Sequence, residues 1–360
     1  MIKSLLIASL LASASGTFLA PLSPRQQVSP QAAVYWGAWI AGGVYGRADA
    51  APWGRSTVAE FERHVGKRVS IIHFGQPWEW CNGSTCSFAP FMTDAMELTR
   101  RHRAIPMVTW GSWARERGVN QPDFRLANIA AGAFDNYIRS WALAAKGWGH
   151  PFFLRLDHEM NINCCWPWAV TQNGNRSADY VAMWRHVHDI FTSVGVTNAT
   201  WVWCPNREYD GSARTLASFY PGDAYVDWTC LDGYNWGVGS SHDSSGWLSF
   251  NQLFGPTYRL VTRVIAPSKP MMIGETGSAE KGGSKARWLT TAFADLSTLY
   301  PQIRAFVWSN ARWDNMDWQV ESSASAERAF RAGIRSSRFA GNVFGELSGG
   351  TVRPLQQRAH

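Results

Sequence analysis

The stretch FLRLDHEMN, Phe153 to Asn161, decides how the rest of this chain is read. An apolar run holding Arg155 opens into Asp157, His158 and Glu159 and then stops being hydrophobic. Four ionisable residues therefore fall within five positions at the end of what reads as a buried strand. Burying a charge without a partner is costly, so core strands do not collect charges by accident. A strand that leaves a core and delivers charge at its carboxyl end is positioning a site.

Working outward, similar runs recur along the chain. AVYWGAWI (from Ala33), RVSIIHFG (from Arg68), IPMVTWGSW (from Ile105) and FFLRL (from Phe152) come first. TWVWCPN (from Thr200), YVDWTCLDGYNW (from Tyr225), MMIGETG (from Met271) and IRAFVWSN (from Ile303) follow, giving eight candidate strands. Segments of helical character lie between them. One runs from Ile129 with apolar positions at Phe134, Ile138, Trp141 and Leu143, and another starts at Ser177 and Asp179 and stops at Gly195. The weakest falls at Ser212 to Phe219. Strands alternating with helices imply a parallel sheet, and eight such units predict a (β/α)8 barrel over residues 33–340. An open doubly wound sheet is the alternative, but no Gly-rich phosphate loop follows the first strand. Active sites of barrels sit at the carboxyl ends of the strands, which places FLRLDHEMN at the mouth as strand four.

The ends of the chain read differently. Residues 1–20 carry one Lys, an apolar run from Leu5 to Leu11 and a small-residue stretch, the layout of a secretory signal peptide. Residues 21–32 read as a Pro-, Ser- and Gln-rich linker and 341–360 as a tail. An exported, soluble monomer is expected, with no membrane span. Six cysteines suit an oxidising compartment. Cys81 and Cys86 make a plausible small loop, whereas the adjacent Cys164 and Cys165 are expected each to look to Cys204, Cys230 or nothing. Scattered cysteines give no zinc spacing.

The net charge of +7 is dispersed, which argues for a solvated basic surface and against a nucleic-acid partner. Twenty-one tryptophans in 360 residues say more. Leu, Ile and Val fill a core without an N–H to satisfy, while aromatic faces stack on sugar rings. A Trp-rich exported protein is a carbohydrate-binding candidate. Trp36, Trp39, Trp78, Trp110 and Trp166 all sit at apparent strand ends or in the loops that follow.

If strand four ends in Glu159, MMIGETG supplies a second strand-end carboxylate, Glu275 on strand seven. Two glutamates reaching into one hollow are what glycoside hydrolysis needs, one to protonate the leaving oxygen and one to attack the anomeric carbon. On RLDHEMN, ADYVAMWRHVHDIF, WVWCPN, YPGDAYVDWTCLDGYNWG, IGETGS and FVWSN the chain resembles glycoside hydrolase family 26. The resemblance implies Glu159 as acid/base, Glu275 as nucleophile, and His158 orienting the acid and the sugar. It implies Tyr234 as hydrogen-bond partner of the nucleophile, Trp308 as the floor under the sugar, and Arg155 and Asn161 as support. Asp157, by strand alternation, should point toward the surrounding helices. No metal or organic cofactor is implied, since two carboxyl groups and water suffice.

INCCWPW departs from the family pattern, with Ile162 where Gly is common and Cys164-Cys165 near the usual aromatic, a role Trp166 can fill. The resemblance implies a polysaccharide partner, with β-1,4-mannan expected first and mixed-linkage β-glucan as the alternative. A reading of another class is a glycan-binding barrel that does no chemistry.

Overall fold

The computed structural model describes residues 33–208, 213–240 and 245–356. The expected signal peptide and linker lie outside the described residues, as do the last four positions of the expected tail. Eight parallel strands close on themselves: β1 (Tyr35–Ile40), β2 (Ile71–Asn82), β3 (Ile105–Ala114), β4 (Phe152–Leu156), β5 (Ala199–Trp203), β6 (Trp228–Asn235), β7 (Met271–Ser278) and β8 (Ile303–Asn310). Each pairs with the next, and β1 closes the ring against both β8 and β2, with Gly37 opposite Ile71 and Ala38 opposite Trp308. The (β/α)8 expectation holds. A short antiparallel strand, Thr85–Phe88, folds back on the end of β2 and is tied there by Cys81–Cys86.

The outer ring comprises α1 (Arg55–Val65), α2 (Thr93–Arg101), α3 (Asp135–Trp148), α4 (Ser177–Ser193), α5 (Ala213–Ala217), α6 (Phe250–Leu260), α7 (Lys285–Thr298) and α8 (Ala324–Ile334). The helix expected from Ile129 is broken. A short turn of helix, Leu126–Ala130, ends before Gly132 at φ 94°, and α3 starts afresh at Asp135, leaving Leu143 exposed. The Asp179 start signal works as read, because its carboxylate accepts the Arg176 backbone N–H at 3.0 Å and caps α4.

Strand alternation divides the core in two. Outward residues such as Trp36, Phe74, Trp78, Trp110, Phe306 and Trp308 pack against the helices. Inward residues Tyr35, Ile71, Ile105, Met107, Phe153, Val202, Trp228 and Met272 fill the lower barrel. The segment after residue 340 is no loose tail. Val352 is buried among the inward residues, its N–H donates to Thr200 Oγ1 at 2.7 Å, and its carbonyl accepts from Trp228 Nε1 at 2.8 Å. Tyr35 donates to the Arg353 carbonyl at 2.9 Å, so this segment plugs the floor at the amino ends of the strands.

Candidate active site

Above the apolar floor the interior changes character. The Cys204–Cys230 disulfide bridges β6 and the residue after β5, and over it lies a layer of Arg155, His73, Thr109 and Asp232. Arg155 is fully buried and forks between two carboxylates, Asp232 and Glu275. Its Nε donates to Thr109 Oγ1 at 2.7 Å. A guanidinium has a fixed set of donors and stays charged, so this fork fixes positive charge beneath the mouth.

The backbone delivers the two glutamates differently. After Leu156 the chain twists through Asp157 at φ 39° and Glu159 at φ 54°, a left-handed region unfavourable for residues with a Cβ. Hydrogen bonds hold it there: Asp157 N–H to the Trp110 carbonyl at 3.1 Å, and Glu159 N–H to the Cys204 carbonyl at 2.8 Å. Such strain persists only where the surroundings over-determine it. Glu275 is set by a bulge, since β6–β7 pairing steps from Leu231–Ile273 to Asp232–Glu275 and skips Gly274. A Cβ at Gly274 would overlap the Cys230 sulfur and crowd Asp232 Oδ1 at 2.8 Å, so the bulge requires glycine.

Each carboxyl has its own partners. Glu159 Oε1 accepts from Asn206 Nδ2 at 2.6 Å and Oε2 from Trp166 Nε1 at 2.9 Å. Glu275 Oε2 accepts from the Tyr234 hydroxyl at 2.8 Å, and Oε1 takes the Arg155 guanidinium. Tyr234 is braced by Ser309 Oγ at 2.5 Å. His158 stands between them, with Nε2 4.0 Å from Glu159 Oε2 and a ring nitrogen within 4.8 Å of the Asp232 and Glu275 oxygens. Those three residues could approach a cation, but both carboxylates already receive Arg155, so the fixed cation there is a guanidinium.

The electrostatics pull the pair apart. Burial, reinforced by the negative charge of Glu275, pushes the Glu159 carboxyl up to about 7 against the opposing bonds from Trp166 and Asn206. Burial would also raise Glu275, but Arg155 overrides it and holds this carboxyl down at about 2. His73 and His158 act in the same direction only if charged, and burial beside Arg155 keeps both neutral. Arg155 is therefore the decisive partner. Burial and the Glu275 charge raise Tyr234 well above its ordinary range, so it remains a donor.

Of the residues singled out from the sequence, Glu159, Glu275, His158, Tyr234, Trp166 and Arg155 come together here. Asn161 sits one step back, exchanging hydrogen bonds of 2.9 Å with the Asn206 backbone and so holding the residue that binds Glu159. Trp308 is not a floor for a sugar. It points outward, fully buried against Phe330 and Trp288, and its Nε1 donates to the Trp318 carbonyl at 3.0 Å. The inward positions of β8 belong to its neighbours Val307 and Ser309. Trp110 likewise faces the helices, stacked on Trp141 at 4.5 Å, and Trp36 and Trp78 are core. Asp157 turns toward β3, accepting from Ser112 N–H and Oγ at 2.7 Å each.

The aromatics that do reach the mouth form two groups. Trp113 and Trp166 stand on the Glu159 side, backed by Trp168, whose ring is parallel to Trp166 at 5.1 Å. Trp236 and Trp313 flank Tyr234 on the Glu275 side, backed by the fully buried Trp318. Trp39 points inward at His73, 6.2 Å away. Asn206, Asp232, His73, Ser309, Trp236, Trp313 and Trp318 were not among the expected site residues. Asn206 lay in WVWCPN and Asp232 in LDGYNW, both quoted motifs, and the parity of β8 points inward at Ser309 rather than Trp308.

The cysteine expectation is corrected in part. Cys81–Cys86 forms as expected, but Cys164 bonds Cys165, leaving Cys204 for Cys230. The left-handed backbone of Cys165, φ 72°, accompanies closure of the adjacent pair. Cys204 and Cys230 meet because both point into the barrel, one just past the end of β5 and the other near the start of the neighbouring β6.

Comparison with known proteins agrees with this geometry. The sequence profile of Glycosyl hydrolase family 26 matches residues 102–269. Endoglucanase H of Acetivibrio thermocellus is 34% identical over 281 residues, 78% of this chain and 29% of that relative. The chain belongs to glycoside hydrolase family 26. A mannan endo-1,4-β-mannosidase of Bacillus subtilis is 25% identical over 219 residues, 59% of this chain and 51% of that relative. This family 26 chain thus spans between 29% and 51% of the length of these curated relatives. Among solved structures, Bacillus subtilis mannanase man26 shares the fold with a TM-score of 0.58 at 16% identity, covering 87% of each chain. The catalytic domain of the Bacillus sp. JAMB-750 endo-β-1,4-mannanase does so with a TM-score of 0.62 at 15% identity, covering 89% of this chain and 91% of its own.

Proposed function

We propose that this family 26 chain is a retaining endo-β-glycanase, exported from the cell that makes it. One observation carries the reading: two buried carboxyls at one barrel mouth, Glu159 raised to about 7 and Glu275 lowered to about 2. Pairs of titratable groups driven apart in this way assign an acid and a base or nucleophile.

In the first step Glu275 attacks the anomeric carbon as Glu159 gives its proton to the departing glycosidic oxygen. The bond to that oxygen breaks, and a glycosyl ester forms on Glu275. Esterification removes the Glu275 charge, one of the two influences that raise Glu159. Having given up its proton, Glu159 is then stable as a carboxylate and able to take a proton from the water that cleaves the ester. Arg155 and Tyr234 hold the nucleophile ionised and aimed, and neutral His158 offers the sugar a hydrogen-bonding group without adding charge.

The aromatic walls suit a neutral β-linked glycan. Two substrates are in view. Mixed-linkage β-glucan is supported by the 34% identical relative, which is named an endoglucanase. β-1,4-Mannan is supported by the resemblance of the motifs and by the relatives named mannosidases at 25% and 28% identity. Reducing-sugar release from barley-type glucan and galactomannan tests both. Release from one polymer and not the other assigns the substrate; binding of either with no release would leave the glycan-binding reading instead.

A further inference from the structure

The proposed reaction requires Glu159 to give up a proton and take it back, so the donors on its carboxyl matter. Asn206 follows a strand end and is locked by Asn161. Trp166 has no side-chain lock of that kind: its carbonyl accepts the Ala169 N–H at 3.1 Å and its ring stacks on Trp168. It ends a loop whose preceding residues Asn163, Cys164 and Cys165 are exposed and belong to no helix or strand. That loop is closed on itself by the Cys164–Cys165 bond. The Trp166 backbone N–H donates to the Cys164 carbonyl at 2.7 Å, joining the indole's own backbone to the bonded pair. From there the ring lies on Trp168 and against His158 and sets its Nε1 on Glu159 Oε2.

We infer that the Cys164–Cys165 disulfide is a positioning element for the acid/base, holding the Trp166 indole N–H on the Glu159 carboxyl. This rests on the role proposed above for Glu159. Neither sulfur touches the reacting atoms. The titratable and charged groups that face Glu159 are Glu275 on β7, Asp232 on β6, and Arg155 and His158 on β4 and the turn after it. None of them is bonded to the cysteine pair, and of these groups only His158 touches the Trp166 ring, so opening the pair acts on Glu159 through the indole. An N–H given to a carboxylate favours its charged form. Losing it raises the proton affinity of Glu159 and leaves the acid less well aimed.

The test compares the wild type, Cys164→Ser/Cys165→Ser, Trp166→Phe and, as a control at the half-buried bridge on β2, Cys81→Ser/Cys86→Ser. Two readouts are needed. The first is the titration of the Glu159 carboxyl by carbon-13 NMR, assigned with Glu159→Gln, which needs no turnover. The second is kcat/KM on polysaccharide against an aryl glycoside whose leaving group needs no proton. Opening the pair should move the Glu159 titration upward and lower kcat/KM on polysaccharide about tenfold. The aryl glycoside should change by less than about twofold, since it needs no acid. Trp166→Phe should reproduce both effects, and the combined variant should add little to either, as expected for groups acting through one contact. If the double serine variant does not fold, the folded Cys81→Ser/Cys86→Ser protein treated with dithiothreitol gives the same reading so long as the fully buried Cys204–Cys230 pair is shown by mass to stay closed. There the dithiol transfers two electrons and two protons to the Cys164–Cys165 sulfurs and closes into its own disulfide. An unmoved Glu159 titration, or equal losses on both substrates, would overturn the inference. A wild type that titrates as described but cleaves no glycan would end the proposed function, while the titration arm still decides the positioning role.

Discussion

Glu159 and Glu275 are the same side chain at the ends of strands three apart in one barrel, both buried and both within reach of His158. Yet one is held protonated toward neutrality and the other ionised far below it. Burial does not separate them, because it raises both. The difference lies in the partner. Glu275 receives a guanidinium and a phenol, whereas Glu159 receives two neutral N–H donors and the repulsion of Glu275 itself. A charged donor against neutral ones is enough to drive two identical side chains toward opposite protonation states.

The sharpest way to break this contrast is to remove the ionised member. Glu275→Ala should lower kcat on the polysaccharide by more than about 10⁴-fold, as removal of a nucleophile does elsewhere. Glu275→Gln should in addition bring the Glu159 titration down from about 7, because the repulsion that helps raise it is gone. A Glu159 titration that stays put in Glu275→Gln would show that the two carboxyls do not sense each other.

Next in size is the proposed acid. Glu159→Gln should cost roughly 10²–10⁴ in kcat on the natural glycan and far less on an activated aryl glycoside. The wild-type kcat/KM should fall as pH rises through about 7, where Glu159 loses its proton. The same group has a stability signature. Its folded value of about 7 lies above its ordinary 4.5, so the folded state binds the extra proton between the two. Stability contributed by this group is full below about 4.5 and is lost as pH rises toward 7. Glu159→Gln should therefore flatten that decline, seen as a melting temperature that drops less between pH 5 and pH 8 than in the wild type.

Asn206→Ala should have a smaller effect, about tenfold in kcat with an upward move of the Glu159 titration, because Trp166 still donates. Asn206 also marks where reading the sequence stopped short. Period-two alternation and the run of eight βα units were enough for the barrel, and a strand ending in charges was enough for Glu159 and Glu275. What alternation does not convey is how the chain behaves after the last paired residue. The left-handed turns at Asp157 and Glu159, the skipped Gly274 and the self-closed Cys164–Cys165 loop all lie where regular periodicity ends. Side-chain contacts such as Asn206 to Glu159 or Arg155 to Asp232 join residues 47 and 77 positions apart and leave no local pattern. The two misplaced tryptophans err in the opposite sense. Trp110 and Trp308 lie within strands where alternation does apply, and it places Thr109, Val307 and Ser309 inward beside them.

That parity supports the smallest prediction, which sharpens the contrast by showing what lies outside it. Trp110 packs between Trp78 and Trp141 on the helix side of β3 and donates its Nε1 to the Tyr137 hydroxyl at 3.2 Å. Trp110→Phe removes one buried hydrogen bond and part of an indole, a loss of about 1–3 kcal/mol. In a chain of this size that corresponds to a melting temperature lower by roughly 2–5 °C. Its backbone carbonyl, which holds the Asp157 turn, is untouched by the substitution. KM and the pH dependence of kcat/KM should therefore stay within about twofold of wild type, as for a core change far from any shared partner. A raised KM with an unchanged melting temperature would instead put the Trp110 ring in contact with substrate, against the side of the strand on which the structure places it.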